Sequence, residues 1–370
     1  MNTITTNDLT AYGWRDHWAE AAQSVNQARQ EALEPARVTL QFSNQYRVVA
    51  AIGERIAVVS GKLQYTAASR SDYPAVGDWV LIETRMEEPH SPAVIHAVLP
   101  RVTSMTRKEA GGMVDEQVIA ANVDTIFIVA ALNQDFNLRR LERYLIAVWE
   151  SGAKPVILLT KADLCDDPAS YEDQVEAIAP GVPCHTVSAL TDQGRGALAP
   201  YLSAGSTAAV TGSSGAGKST LLNWLAGEGL QRVQQIREED ARGRHTTTHR
   251  QLFPLPGGAL FLDTPGMREL QLWDSESGWS EAFADIMALA AQCRFHNCGH
   301  DKEMGCAVKQ AIVDGVLDAG RFASYRKTQR ELARLERKQS GSMRKAKQLE
   351  KRRSARTDVG KNGWRYGYEE

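Results

Sequence analysis

Three short stretches of this sequence carry side chains at spacings that can do chemistry. "GSSGAGKS", Gly212 to Ser219, fits the pattern G-x-x-x-x-G-K-[ST]. Gly212, Gly215 and Gly217 let the backbone turn tightly around phosphate oxygens. Main-chain N–H groups and the start of the following helix stabilise negative charge there. Lys218 is placed to reach β- and γ-phosphates and Ser219 to ligate Mg²⁺. The expected nucleotide-holding run is Thr211, Gly212, Ser213, Ser214, Gly215, Ala216, Gly217, Lys218, Ser219 and Thr220. This loop alone does not choose between ATP and GTP.

The second stretch, "TKAD", makes that choice. Asp163 can accept from the ring N–H and the exocyclic amine of guanine, a donor pair that adenine lacks. The apolar stem of Lys161 can lie on the purine face. Thr160, Lys161, Ala162 and Asp163 form the candidate base reader, with Thr160 where most GTPases carry Asn. "VSAL" supplies Ser188 and Ala189, whose main chain would back the guanine carbonyl. In "LDTPGM", Asp263 would hold Mg²⁺ through water and the Gly266 N–H would meet the γ-phosphate. "GRHTTTHR" is the candidate first switch, with Thr246 or Thr247 closing onto Mg²⁺.

The third stretch is "CRFHNCGHDKEMGC". Cys293, Cys298 and Cys306, with His296 or His300, make a three-thiolate, one-imidazole set within 14 residues. Such a set forms a closed tetrahedral Zn²⁺ site of the structural type.

The elements that must position these groups follow a changing texture. Residues 14–34 read as a polar helix ending before Pro35. From Arg37 to about Arg101, "RVTLQF", "YRVVAAI", "RIAVVSG", "DWVLIE" and "AVIHAVL" are five short strand candidates. They suit a small barrel, for which the OB-fold is the natural candidate. From Val123 onward, apolar strands alternate with amphipathic helices, which predicts a parallel α/β sheet covered on both faces. The phosphate loop, the base reader and "DTPG" all fall at strand carboxyl ends, where such sheets bind ligands. Helical segments from about Ala307 to Lys338 are expected to pack around the Cys/His knuckle.

Composition sets the outer bounds. The 370 residues carry a net charge of −2, 43% hydrophobic residues and five cysteines. An odd cysteine count, three of them clustered, argues against a disulfide framework and for a reducing, cytoplasmic setting. No apolar run approaches the length of a signal peptide or a membrane span. Arg321 to Arg356 holds 14 Lys or Arg against three Glu, a balance of +11 that leaves −13 elsewhere. A basic block on an acidic chain favours a polyanion partner, RNA foremost.

The motifs run in the order TKAD, SAL, GSSGAGKS, GRHTTT, DTPG, which places the base reader before the phosphate loop. This order resembles the circularly permuted GTPases. With a barrel-like region before it and a Cys/His cluster after, the chain resembles the RsgA (YjeQ) family of ribosome small-subunit-dependent GTPases over roughly residues 37–330. The resemblance implies an OB-fold barrel, a circularly permuted α/β P-loop GTPase domain and a C-terminal α-helical zinc-binding domain. The corresponding expected divisions are 1–36 for an N-terminal helical extension, 37–105, 113–272, 273–340 and a basic tail at 341–370. The family spacing selects His300 over His296 as the fourth zinc ligand. The resemblance further implies slow GTP hydrolysis stimulated by the small ribosomal subunit, contact with its rRNA, Mg²⁺ with GTP, one structural Zn²⁺ per chain, and a monomer without a membrane partner.

Met267 stands where Ras-like enzymes place the Gln that orients the attacking water. Intrinsic hydrolysis should therefore be slow, and His245 is the candidate replacement. Two rival readings are a P-loop ATPase or small-molecule kinase, and an RNA-binding scaffold with structural nucleotide. The first leaves TKAD, SAL and the permuted order as coincidences. Multiple-turnover hydrolysis separates the second.

Overall fold

The computed structural model describes residues 6–42, 45–84, 91–108, 116–227, 250–263, 276–334 and 337. His245, Thr246, Thr247, Gly266, Met267 and the basic residues beyond 337 lie outside the described residues.

The five expected N-terminal strands form β1 (Glu34–Gln41), β2 (Tyr46–Ala50), β3 (Gly53–Val59), β4 (Trp79–Glu83) and β5 (Ala93–Val98), with a short helix α2 (Gly61–Thr66) after β3. Successive pairing runs β1–β2–β3–β5–β4, and β4 returns to β1. That last pairing closes the barrel, and only β3 and β5 run parallel. β-Branched and small residues fill it: Val38, Val48, Ala57, Val80, Ile82 and Ile95 are fully buried. Closure leaves no long unpaired edge.

The helix α1 (Asp16–Arg29) is shorter than the sequence predicts. Gln30 takes a left-handed conformation, φ 56°, and its N–H closes onto the Asn26 and Gln27 carbonyls. The Asn26 amide then clips Leu33, donating to its carbonyl at 3.0 Å and accepting from its N–H at 3.3 Å. Glu34 and Pro35 consequently belong to β1, with Pro35 opposite Leu81. Trp18 and Ala22 of the helix pack on Trp79, Leu81 and Leu99 of the barrel.

The central sheet orders its strands β10 (Cys184–Thr186), β9 (Lys154–Thr160), β8 (Thr125–Ala131), β11 (Thr207–Gly212), β13 (Leu260–Asp263) and β12 (Gln251–Pro254). All pair in parallel except β12, which runs antiparallel to β13 at the edge. This edge strand departs from the parallel pattern because "LPGG" at 255–258 makes a tight turn rather than a helical crossover. Leu40 of β1 bridges Gln251 of β12, so sheet and barrel share one edge. A hairpin of β6 (Ser104–Lys108) and β7 (Glu116–Ala121) was also unforeseen.

β8 shows why its strand reads as a continuous apolar run. Ile126 and Ile128 face α3 (Leu138–Glu150) and α4 (Pro168–Ile178), whereas Phe127 and Val129 face α5 (Lys218–Ala226). Both faces are buried, so neither can alternate with polar residues. Asn137 and Asp167 cap α3 and α4 by accepting the Arg140 and Ser170 N–H groups, 3.1 and 3.3 Å.

The C-terminal module contains α6 (Glu276–Ala282), α7 (Ala284–Ala290), α8 (Ala307–Val313) and a helix over 319–334. Phe283, Ile286, Val308 and Tyr325 make its core, into which Ile146 of α3 projects. Among the described residues, no helix is long and apolar enough to cross a membrane.

Candidate nucleotide and metal sites

Gly212 ends β11 against the neighbouring strand. A Cβ there would lie 2.3 Å from the Val129 carbonyl oxygen, and its φ is 145°. Only glycine therefore lets β11 run into the loop at this spacing. Gly217, φ 90°, caps α5 and turns the chain into the helix that begins with Lys218 and Ser219. The Lys218 ammonium donates to the Gly212 carbonyl at 2.7 Å and also to that of Ser213, so it lies across the loop. Parallel pairing of Ala209 with Leu262 brings Asp263 to the same sheet end as Gly212. Ser219 and Asp263 thus stand on the edge where a Mg²⁺–phosphate group would sit.

Thr160 is 6% exposed. Its hydroxyl is 2.7 Å from the Ala216 carbonyl and 3.4 Å from that of Ala130; the shorter contact takes the proton. This residue braces the phosphate loop against the "TKAD" loop, a role its place in that motif did not disclose. Lys161 adopts φ 60°, which turns the chain sharply between Thr160 and Asp163. Ser188, 1% exposed, donates to Asp163 Oδ1 at 2.5 Å and fixes one oxygen of that carboxylate. The Ala162 N–H reaches the Val187 carbonyl, 3.3 Å, joining the two loops through the backbone.

Between these loops and α5 lies a cavity of about 230 Å³. Its lining includes Thr160, Lys161, Asp163, Ala189, Gly217 and Thr220 from the expected set. Sequence reasoning missed Leu164, Val187, Leu190, Leu221 and Trp224, which also line it. Helical spacing was the available signal for two of these: Gly217, Thr220, Leu221 and Trp224 recur every three or four residues, on one face. The cavity combines apolar walls suited to a purine with the Asp163 carboxylate and Gly217 of the phosphate loop.

Cys293, Cys298, His300 and Cys306 converge, with all four ligand atoms within 4.8 Å of one another. Cys293 Sγ lies 3.9 Å from Cys306 Sγ and 3.6 Å from His300 Nδ1, and His300 Nδ1 lies 3.4 Å from Cys306 Sγ. Zn–S bonds of ~2.3 Å in a tetrahedron set S···S separations at about 3.8 Å, so the group fits such an ion. Burial, reinforced by the Arg326 guanidinium, holds the His300 pKa below its ordinary value and favours the neutral ligand form. His296 is exposed and outside the group. All five cysteines are free thiols.

The sheet carries these pieces in a permuted chain order. Strands β9 and β10, which carry the base-reading loops, precede β11 and the phosphate loop. The family described as RsgA GTPase matches residues 98–273. Among curated relatives, "Small ribosomal subunit biogenesis GTPase RsgA" of Opitutus terrae is 48% identical over 88% of this chain and 90% of its own. "Small ribosomal subunit biogenesis GTPase RsgA 1" of Oceanobacillus iheyensis is 46% identical over 83% of this chain and 88% of its own. Two solved structures are similar in fold. YjeQ from Thermotoga maritima has a TM-score of 0.62 at 26% identity, covering 82% of this chain and 99% of its own. YloQ, described as a circularly permuted GTPase, has a TM-score of 0.57 at 25% identity, covering 82% and 96%. With the permuted sheet, the closed barrel and the Cys/His knuckle, these likenesses establish that the chain belongs to the RsgA family of GTPases.

Proposed function

We propose that this protein hydrolyses GTP during biogenesis of the small ribosomal subunit, binding that subunit through rRNA and being stimulated by it. The observation that carries the nucleotide choice is the Asp163 carboxylate, fixed by Ser188 in the lining of a cavity that Gly217 of the phosphate loop also lines. The curated relatives are named for small-subunit biogenesis, which supports the partner.

In this reading, Asp163 accepts from the guanine edge, the Lys161 stem covers the base, and Ala189 backs its carbonyl. Thr211 to Thr220 wrap the phosphates, Lys218 neutralises them, and Ser219 with Asp263 hold Mg²⁺. Mg²⁺ supplies charge neutralisation of the β- and γ-oxygens when bound. The Gly266 N–H would meet the γ-phosphate, one of Thr246 or Thr247 would close onto Mg²⁺, and His245 orients the water that Met267 cannot. Cys293, Cys298, His300 and Cys306 hold one structural Zn²⁺. The protein works as a cytoplasmic monomer.

Multiple-turnover GTP hydrolysis, measured with and without purified small ribosomal subunits, tests this. A slow basal rate strongly accelerated by subunits is expected, with the acceleration shrinking as salt rises. Asp163→Asn should weaken GTP and favour xanthosine triphosphate. His245→Ala should lose most of the stimulated rate at unchanged GTP affinity. Equal binding of ATP and GTP, or a rate indifferent to subunits, overturns the reading.

A further inference from the structure

Trp224 is the large side chain on the cavity wall that no nucleotide-binding motif accounts for. It lies on the phosphate-loop helix, yet its bonds reach the opposite loop. The indole Nε1–H donates to Asp192 Oδ1 at 2.6 Å. The Arg195 guanidinium lies over the indole, 4.7 Å from its centroid, and donates to the same carboxylate oxygen at 2.8 Å. Asp192 holds φ 57° within a loop closed on itself, where Ser188 and Gln193 exchange both backbone hydrogen bonds, 3.1 and 3.0 Å. Ser188, in turn, is the residue that donates to Asp163.

These contacts form one unbroken chain from α5 through Trp224, Asp192, the Gln193–Ser188 bridge and Ser188 to Asp163. We propose that Trp224 and Asp192 are positioning residues for base selection: their bond sets the Ser188 loop on the phosphate-loop helix and thereby holds the Asp163 carboxylate flat toward the two donors of guanine. The inference rests on the GTP reading above. Its physical basis is that a carboxylate accepts from two donors at once only in one plane. A looser Ser188 loop frees Asp163 to rotate, which weakens the two-point contact more than a one-point contact. The Arg195–Asp192 ion pair is exposed and contributes little by itself. Its role is to keep the shared oxygen in place for the indole.

Calorimetric titration with GDP, IDP and ADP in Mg²⁺ tests the proposal. IDP lacks the exocyclic amine and so reports the second contact. Trp224→Phe keeps an aromatic wall but deletes the N–H. Asp192→Gly deletes the carboxylate at a φ that glycine accepts. Each should shrink the GDP-over-IDP preference about 3- to 10-fold, and the double variant no further, because both remove one bond. An unchanged preference in either folded variant, or a parallel loss of GDP and IDP affinity, overturns the proposal and leaves Trp224 a packing residue. Should Trp224→Phe not fold, Asp192→Gly, at an exposed position, decides alone. A wild-type protein that binds ADP as well as GDP would instead overturn the GTP reading itself.

Discussion

Two seams hold the GTPase sheet to its neighbours, and each is built around a buried arginine on entirely different terms. At the barrel seam, Arg37 of β1 is 1% exposed. It donates to the Gly77, Asn122 and Tyr12 carbonyls and to the Thr207 hydroxyl, with the Gly77, Asn122 and Thr207 contacts at 3.3, 3.0 and 2.9 Å. Every acceptor is neutral. Burial pushes the guanidinium pKa down from 12.5 to about 10, although Asp124 opposes the shift. At the seam with the Cys/His module, Arg321 is 3% exposed and meets charge directly. It donates to Glu142 of α3 at 2.9 Å, to Asp285 at 3.0 and 3.2 Å, and to the Ala282 carbonyl at 2.6 Å. Both guanidinium groups lie over aromatic rings, Trp79 at 5.4 Å and Phe283 at 4.6 Å.

The difference reflects what each seam has to offer. Carbonyl acceptors must be held by backbone that is already fixed, and the barrel seam supplies it: β1 pairs directly with β12. Helices satisfy their own carbonyls and present side chains instead, so α3 and the 319–334 helix join through carboxylates. A neutral cage leaves the cation's desolvation partly uncompensated. An ion pair compensates it, but makes each partner dependent on the other.

The comparison predicts that the two seams fail separately and by different amounts. Removing the metal should have the largest effect, because Cys293, Cys298 and Cys306 are part of the module core that rests on Ile146. Structural zinc contributes on the order of 10 kcal/mol in small modules. Cys298→Ala, or a strong chelator, should abolish hydrogen-exchange protection across 276–334 while residues 34–98 keep theirs. Loss of protection in both regions would show one cooperative unit and break the comparison.

Next in size is the ion pair. Glu142→Gln leaves Arg321 buried with Asp285 as its one anionic partner among the described residues, and Ser324 loses its carboxylate acceptor. The expected cost is about 3 kcal/mol, the low end for breaking a buried pair. Urea unfolding followed by exchange within 276–334 measures it. Arg37→Met should cost less, about 1–3 kcal/mol. It orphans several acceptors but also removes a cation that burial disfavours. If Arg37→Met proves the more damaging of the two, the neutral cage is the stronger seam and the ranking inverts.

How legible these features were depends on how far their causes reach along the chain. The phosphate loop, TKAD and SAL were readable because each is a local backbone shape bound to its own residues. The barrel strands were readable from β-branched runs between turn residues. Thr160 was placed in the right loop, yet its hydroxyl holds Ala216, 56 positions away. Arg37 and Thr207 are 170 positions apart, and no periodicity links them. Arg321 heads the basic run that the sequence offers as an RNA grip, but it is buried in the seam and does not face a partner. The knuckle was legible as a ligand set, and the family spacing that selected His300 over His296 agrees with the group the fold brings together.

The smallest effect tests whether the barrel seam reaches the nucleotide. Thr207 begins β11 and Gly212 ends it, so the Arg37 contact and the phosphate loop sit at opposite ends of one strand. Thr207 also receives Asp124 from β8's approach, its N–H donating to Asp124 Oδ2 at 2.8 Å. Thr207→Val keeps the volume and the backbone N–H and deletes only the hydroxyl that Arg37 uses. The loss should be about 1 kcal/mol, the net worth of one hydrogen bond. GDP affinity decides what that means. β11 is hydrogen-bonded to β8 and to β13 on both sides, which holds its far end in register whatever happens at Thr207. Affinity within about 2-fold of wild type is therefore expected, a difference under 0.5 kcal/mol. A 10-fold loss would mean that the strand transmits barrel strain to Gly212, and that the neutral cage sets the phosphate loop as well as joining barrel and sheet.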